Sequence, residues 1–274
     1  MGSCTQYLER DQGYLEGCRS KRRSRYANTL LPFDLVAGAR DTAAVPTQST
    51  QNPLFVIGAG GHAKVVIATA QSMVSSVDSE GRLMIGRQQL LWPEIRVCDD
   101  NAATHGRQLL GFIVEGASAS VLGNPLVSAV LAIGNNAGRA QLAAAARCRF
   151  ATLVHHQALL HASVRIGVGS VVFAGAIIQP DTVIGALAII NTGASVDHDC
   201  VLGDAVHIAP GARLAGGVTV GARSFIGIGA VVAPGITIGD DVIIGAGAAV
   251  VRDIPSGTTA VGVPARALTP RERF

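Results

Sequence analysis

The sequence predicts a small α/β unit with a short parallel sheet, followed by a parallel β-helix built from hexapeptide repeats. Three observations carry this. An aliphatic residue recurs at every sixth position from Leu160 to Val250 without interruption. A strand, a glycine-rich turn and an Ala/Val-rich helix follow one another from Pro53. The 274-residue chain holds 33 glycines and 49% hydrophobic residues but only 4% aromatics, so small and branched side chains rather than rings must fill the interior.

Residues 1–51 mix charge, Ser, Thr and Gln without a sustained period and read as a disordered extension, or as sequence upstream of a later start. From 52 to 152 the pattern is that of an α/β domain. Leu54-Phe55-Val56-Ile57 is a buried strand, Gly58-Ala59-Gly60-Gly61 a turn, and His62 to about Val74 a helix. A second strand at Ile95 to Cys98 ends on Asp99 and Asp100. A third, Leu126 to Ile133, leads through Gly134-Asn135-Asn136 into a helix from Ala137 to Arg147. The stretch Ser75 to Pro93 has no clear period, and no clear glycine-rich hairpin stands out between Ser75 and Gly123.

Residues 153–274 form the β-helix. A period of six is neither the 3.6 of a helix nor the 2 of a lone strand, so it marks a structural repeat. Three hexads make a triangular coil of 18 residues. Aliphatics such as Ile190, Val196 and Leu202 fill the interior, small residues two positions earlier fit beneath the corners, and Gly, Asn or Asp supplies the turns. About five to six coils at roughly 4.8 Å spacing make a prism on the order of 25 Å long.

The formal charge of +3 is concentrated in a basic run from Arg19 to Arg25 without interleaved aromatics, which argues against a nucleic-acid partner. The five cysteines are scattered and form no C-x-x-C pair, so neither a disulfide framework nor a thiolate zinc site is expected. No segment reaches transmembrane length, and a cytoplasmic protein is expected.

Most corners carry Gly, Ala, Pro or Asp, yet Asp197-His198-Asp199 places an imidazole between two carboxylates. His198 stands two positions after inward Val196, hence near a corner and exposed. A lone surface histidine is usually inert, but a carboxylate that accepts its Nδ1–H raises its basicity and leaves Nε2 to take a proton from a nucleophile. Eighteen residues on, Gly216 lies directly above it, and its N–H is placed to hold an oxyanion. His207 follows His198 by half a coil, so the two do not share a metal within one subunit. Cys200 occupies a small inward position and reads as packing. Gly58-x-Gly60-Gly61 lacks the third spaced glycine of a dinucleotide fingerprint; its N–H groups suit a sugar-nucleotide instead, with Asp99 and Asp100 either contacting base or ribose or forming a solvated loop.

Taken together, Ile57-Gly58-Ala59-Gly60-Gly61-His62-Ala63-Lys64, Asp99-Asp100, Ile133-Gly134-Asn135-Asn136 with Arg139, Val196-Asp197-His198-Asp199-Cys200, His207-Ile208-Ala209-Pro210-Gly211 and Gly262-Val263-Pro264-Ala265 resemble the bacterial sugar-nucleotide acetyltransferases of the left-handed β-helix class, the PglD and NeuD-like family. The resemblance implies left-handed winding, against the usual right-handed crossover. It also implies a homotrimer with active sites between subunits, a nucleotide sugar held by the α/β domain, and acetyl-CoA along the groove between neighbouring β-helices.

Carried over residue by residue, His198 is the general base and Asp199 raises its basicity, an Asp where some relatives have Glu. His207 contacts the thioester region, Ile228 and Ala246 offer backbone along one edge, and Gly262 and Pro264 approach the adenine end. Gly60, Gly61, His62, Asp99, Asp100 and Gly134 hold the nucleotide sugar.

The expected reaction is acetyl transfer from acetyl-CoA to the amino group of a nucleotide-linked amino sugar, such as a UDP-4-amino-4,6-dideoxy sugar, by direct attack and without a metal. O-acetylation of a sugar such as sialic acid is the alternative within the class. Outside it stand a non-catalytic trimeric β-helix module and a metal-dependent hydratase of the γ-carbonic anhydrase kind. The latter needs an H-x4-H spacing, where His198 and His207 show H-x8-H.

Overall fold

The computed structural model describes residues 52–73 and 92–268. The segment 1–51 with its basic run, and residues 75–91 of the stretch without a period, lie outside these.

A four-stranded parallel sheet in the order β2-β1-β5-β6 opens the described chain: β1 Leu54–Ile57, β2 Ile95–Cys98, β5 Ser128–Leu131 and β6 Arg149–Phe150. All four residues of β1 are buried, as a strand covered on both faces requires. Helix α1, Gly61–Ser72, covers one face with Ala63, Val66, Ile67 and Ala70. The other face meets α2, Ala119–Leu122, and α3, Asn136–Ala145, whose start is capped by the Asn135 side chain accepting from Gly138 N at 2.6 Å. A hairpin does lie in the stretch where none stood out: β3 Gln108–Leu109 pairs antiparallel with β4 Phe112–Ile113. Its two turn residues, Leu110 and Gly111, have φ of 50° and 87°, the twist a two-residue hairpin needs. A leucine at the first of these positions hid the signal.

The hexads wind as a left-handed parallel β-helix. Two-residue strands pair in parallel at a spacing of 18, for example Ile189 with His207 and Ile190 with Ile208. The first strand is Leu153–Val154, one hexad before Leu160, and the face it begins carries seven parallel strands ending at Thr259–Val261. Antiparallel Arg266–Ala267 closes that face. The coil is therefore longer than the five to six turns expected. Inward aliphatics and the small residues beneath the corners form one continuous core from Ile166 to Ala265.

Corners that are not glycine reveal how the α/β layer sits on the coil. Leu187, Ala205 and Arg223 hold φ of 59°, 54° and 59°, conformations costing roughly 1–2 kcal/mol each outside glycine. Their carbonyls are the ones taken by α3. Arg139 Nε donates to Leu187 O, its Nη2 to Ala205 O, and Asn136 Nδ2 to Arg223 O, at 2.8, 2.8 and 2.9 Å. Arg139 is 1% exposed, and burial brings its guanidinium down to about 10. Three successive coils are thus pinned by two side chains of one helix turn.

Candidate active site

His198 stands at a corner with its side chain 59% exposed, and its Nδ1 lies 2.7 Å from Asp199 Oδ2. Asp199 reaches it because its own backbone is left-handed, φ 58°, while Asp197 Oδ1 accepts the His198 N–H at 2.8 Å. The hydrogen bond to Asp199, and then the charge of Asp197, hold the His198 imidazole above its ordinary value. Nε2 is left open.

Gly216 lies one coil above, as the spacing requires, but the arrangement is tighter than an unobstructed N–H. A Cβ there would stand 2.6 Å from both Cε1 and Nε2 of His198, so the imidazole packs against the glycine. The Gly216 N–H has no hydrogen-bond partner among the described residues. The same is true of the N–H groups of Ile228 and Ala246, which occupy the equivalent place two residues after an inward aliphatic. Two corners spend this donor on a side chain, Ala186 N on Asp204 and Ala222 N on Asp240, each at 2.7 Å, while Val168, Ala174 and Asp204 also leave it without a partner among the described residues. Ile228 and Ala246 are exposed and stacked, with Gly247 N donating to Ile228 O at 2.8 Å. Gly262 and Pro264 are exposed at the end of this face, and Gly262 O receives Ala249 N.

His207, expected at the thioester region, is buried on its own face of the coil. It is 8% exposed, with Nε2 3.0 Å from Asn191 Nδ2 and its ring edge-on to Phe225 at 5.1 Å. His62, from the glycine turn, packs edge-on to Phe173 at 5.5 Å and lies 6.1 Å from His207. Burial and the nearby Arg139 push His62 to about 4 and His207 to about 3, so both are neutral. His62 Nε2 and His207 Nδ1 are buried without a hydrogen-bond partner. These two imidazoles lie where the glycine turn meets the coil, apart from the solvent-facing His198.

Gly60 and Gly61 begin α1 without a side-chain cap. Asp99 holds their turn in shape, accepting Ala59 N at 2.5 Å and Asn101 N at 2.8 Å. Asp100 accepts both the N–H and the hydroxyl of Ser118 at 2.8 and 2.9 Å. Both acids, expected to meet base or ribose or to be a solvated loop, are engaged in shaping the loops. A cavity of about 270 Å³ lies beside the turn, lined by Gly60, Gly61, Lys64, Arg107 and Leu109. Arg107 carried no signal in the sequence, because it enters through the unrecognised hairpin; Gly134 is exposed at the start of the α3 loop. A larger cleft of about 370 Å³ around Phe55, Arg96 and Cys98 lies on the opposite face of the sheet and contains no histidine.

Cys200 donates to Ala215 O from the core, and burial pushes its thiol up to about 11, unsuited to a nucleophile. No group of three His, Cys, Asp or Glu side chains among the described residues is placed to hold a metal ion.

A hexapeptide coil behind a small α/β layer, carrying an exposed His–Asp pair, is the architecture of the β-helical acyltransferases. Residues 53–146 match the PglD N-terminal domain, and residues 217–252 match the bacterial transferase hexapeptide (six repeats). The acetyltransferase domain of PglB from Neisseria gonorrhoeae FA1090 is 39% identical with a TM-score of 0.69, spanning 80% of this chain and 100% of its own. PerB from Caulobacter crescentus, in complex with CoA and GDP-perosamine, is 40% identical with a TM-score of 0.67, over 80% and 99%. WeeI from Acinetobacter baumannii AYE is 27% identical with a TM-score of 0.66, over 80% and 100%. No curated protein matches the chain by sequence. The chain belongs to the left-handed β-helix sugar acetyltransferase family with a PglD-type N-terminal domain.

Proposed function

We propose that the protein transfers acetyl from acetyl-CoA to the amino group of a nucleotide-linked amino sugar, with His198 as general base. The observation that carries this is the 2.7 Å Nδ1 to Asp199 bond, which leaves Nε2 facing solvent beside the free Gly216 N–H. The amine approaches Nε2, loses its proton as it adds to the thioester carbonyl, and the oxyanion forms against Gly216. Collapse expels the CoA thiolate directly; with Cys200 sealed in the core, no acyl-enzyme is required.

Acetyl-CoA lies along the coil edge, its amide groups meeting the unpaired N–H of Ile228 and Ala246, with Gly262 and Pro264 at the adenine end and His207 buried beneath the thioester region. Support comes from PglB, whose acetyltransferase domain is known in complex with acetyl coenzyme A. The nucleotide sugar occupies the cavity at Gly60 and Gly61, where Lys64 and Arg107 face its diphosphate and Asp99 holds the turn through Ala59 N, while His62, Asp100 and Gly134 stand outside its lining. An edge lined on one side only needs a second wall, so the working form is a homotrimer with acetyl-CoA between neighbouring coils. Among the described residues no helix is long and apolar enough to cross a membrane.

The test is incubation of the purified chain with acetyl-CoA and a panel of UDP- and GDP-linked amino sugars, followed by mass spectrometry. Gain of one acetyl group on an amino sugar, and none on hydroxyl-only sugars, is the expected result. Transfer confined to hydroxyls would replace the amine by O-acetylation, and no transfer to any member would sink the reading.

A further inference from the structure

Asn191 follows inward Ile190 on the coil face that carries His207 one turn above. Its Oδ1 accepts the Thr192 N–H at 2.8 Å, and its Nδ2 lies 3.0 Å from His207 Nε2. An amide nitrogen only donates, and turning the amide round would set its N–H against that of Thr192. His207 Nε2 must therefore be the accepting nitrogen. A neutral imidazole with a bare Nε2 carries its proton on Nδ1, which is buried.

We infer that Asn191 is a positioning residue that locks His207 as the tautomer protonated on Nδ1, its amide occupying the accepting Nε2 so that His207 does not serve as a base while His198 Nε2 stays free. The rest of the junction agrees with this. His207 is wedged against Phe225, and His62 beyond it against Phe173, so neither ring can turn over without repacking an aromatic neighbour. His62 Nε2 is sealed from solvent, whereas His198 is exposed. Asn191 lies seven residues before His198, joined to it by one corner, and thereby links the glycine turn to the catalytic hexad.

This rests on the acetyl-transfer reading only for its kinetic arm. Nitrogen-15 NMR of the imidazoles in the full chain is expected to show His207 protonated on Nδ1, and Asn191→Asp to move the proton to Nε2, because a carboxylate accepts where the amide donated. A wild-type His207 protonated on Nε2, or one unmoved by Asn191→Asp, overturns the inference. In acetyl transfer, Asn191→Asp is expected to lower kcat/KM roughly tenfold, the scale of one lost hydrogen bond. His207→Gln, whose amide reproduces one acceptor and one donor, should exceed His207→Ala by a similar factor. If His207→Gln is as impaired as His207→Ala, the ring acts by proton transfer and the inference fails. Absence of transfer in the wild type would sink the proposed function while leaving the NMR result to decide the tautomer.

Discussion

Gly216→Ala separates a seat for the imidazole from a donor to the oxyanion. The added Cβ would stand 2.6 Å from Cε1 and Nε2 of His198, where ordinary contact begins at 3.4 Å, so the ring must retreat by about 0.8 Å. It has room to do so, since one side faces water. The N–H of residue 216 is retained. A misplacement approaching 1 Å at a reacting group costs up to about 100-fold, so kcat should fall by roughly 30- to 100-fold with KM for acetyl-CoA little changed. Gly217→Ala is the control: its φ is 70°, and the nearest atom to an added Cβ is 3.9 Å away, so it stores about 1 kcal/mol of strain and touches no imidazole. The assay is release of CoA thiol under saturating sugar, with melting temperatures recorded alongside. Wild-type kcat in Gly216→Ala would refute the packing of His198 on this glycine. A fall in kcat for Gly217→Ala larger than for Gly216→Ala would refute it equally.

Further consequences can be measured separately. Asp199→Asn removes the largest influence holding His198 above its ordinary value, so the acid limb of the kcat/KM profile should move to lower pH while the plateau drops, the base being weaker; an unmoved limb would exclude Asp199 from this role. His62 and His207 have folded values of about 4 and about 3 against 6.5 unfolded, so the unfolded state binds more protons as pH falls below 6.5. Their contribution is complete above that pH and lost on acidification, with a combined slope of up to ~2.7 kcal/mol per pH unit in denaturant unfolding between about 4 and 6, and His62→Phe should remove about half of it. Arg139→Met leaves the carbonyls of Leu187, Ala205 and Ile133 and the Asn136 amide oxygen without this donor, and should lower unfolding free energy by about 4 kcal/mol at roughly 1 kcal/mol each. Ala246→Trp fills the exposed coil edge and should raise KM for acetyl-CoA by about tenfold or more without moving the melting temperature; unchanged KM would place the cosubstrate elsewhere.

The coil was legible because its constraint repeats: every inward position from Leu160 on must be aliphatic, and a residue's neighbour one turn away is fixed at 18. That arithmetic aligned Gly216 with His198 and Ile228 with Ala246, but it did not give the depth of contact, which depends on the rotamer of one imidazole. Corners were legible only where Gly or Asp occupied them. Leu187, Ala205 and Arg223 defied the rule because α3 supplies hydrogen bonds to their carbonyls, a long-range compensation that no local pattern displays. Asn136 and Arg139 were conspicuous as residues of a motif, yet their work is at carbonyls 48 to 87 positions away. Likewise the burial of His207 comes from the α/β layer covering its face of the coil, which the hexad pattern alone does not display, and the hairpin around Leu110 was masked by an atypical turn residue.

The central claim is that the exposed His198–Asp199 pair removes the proton of the attacking amine. It is tested most directly by single-turnover acetyl transfer to an accepted nucleotide amino sugar, comparing wild type with His198→Ala at saturating acetyl-CoA. The rate should fall by about 10²–10⁴-fold while both substrates still bind, the range for losing a general base. A His198→Ala rate within a few-fold of wild type would contradict it.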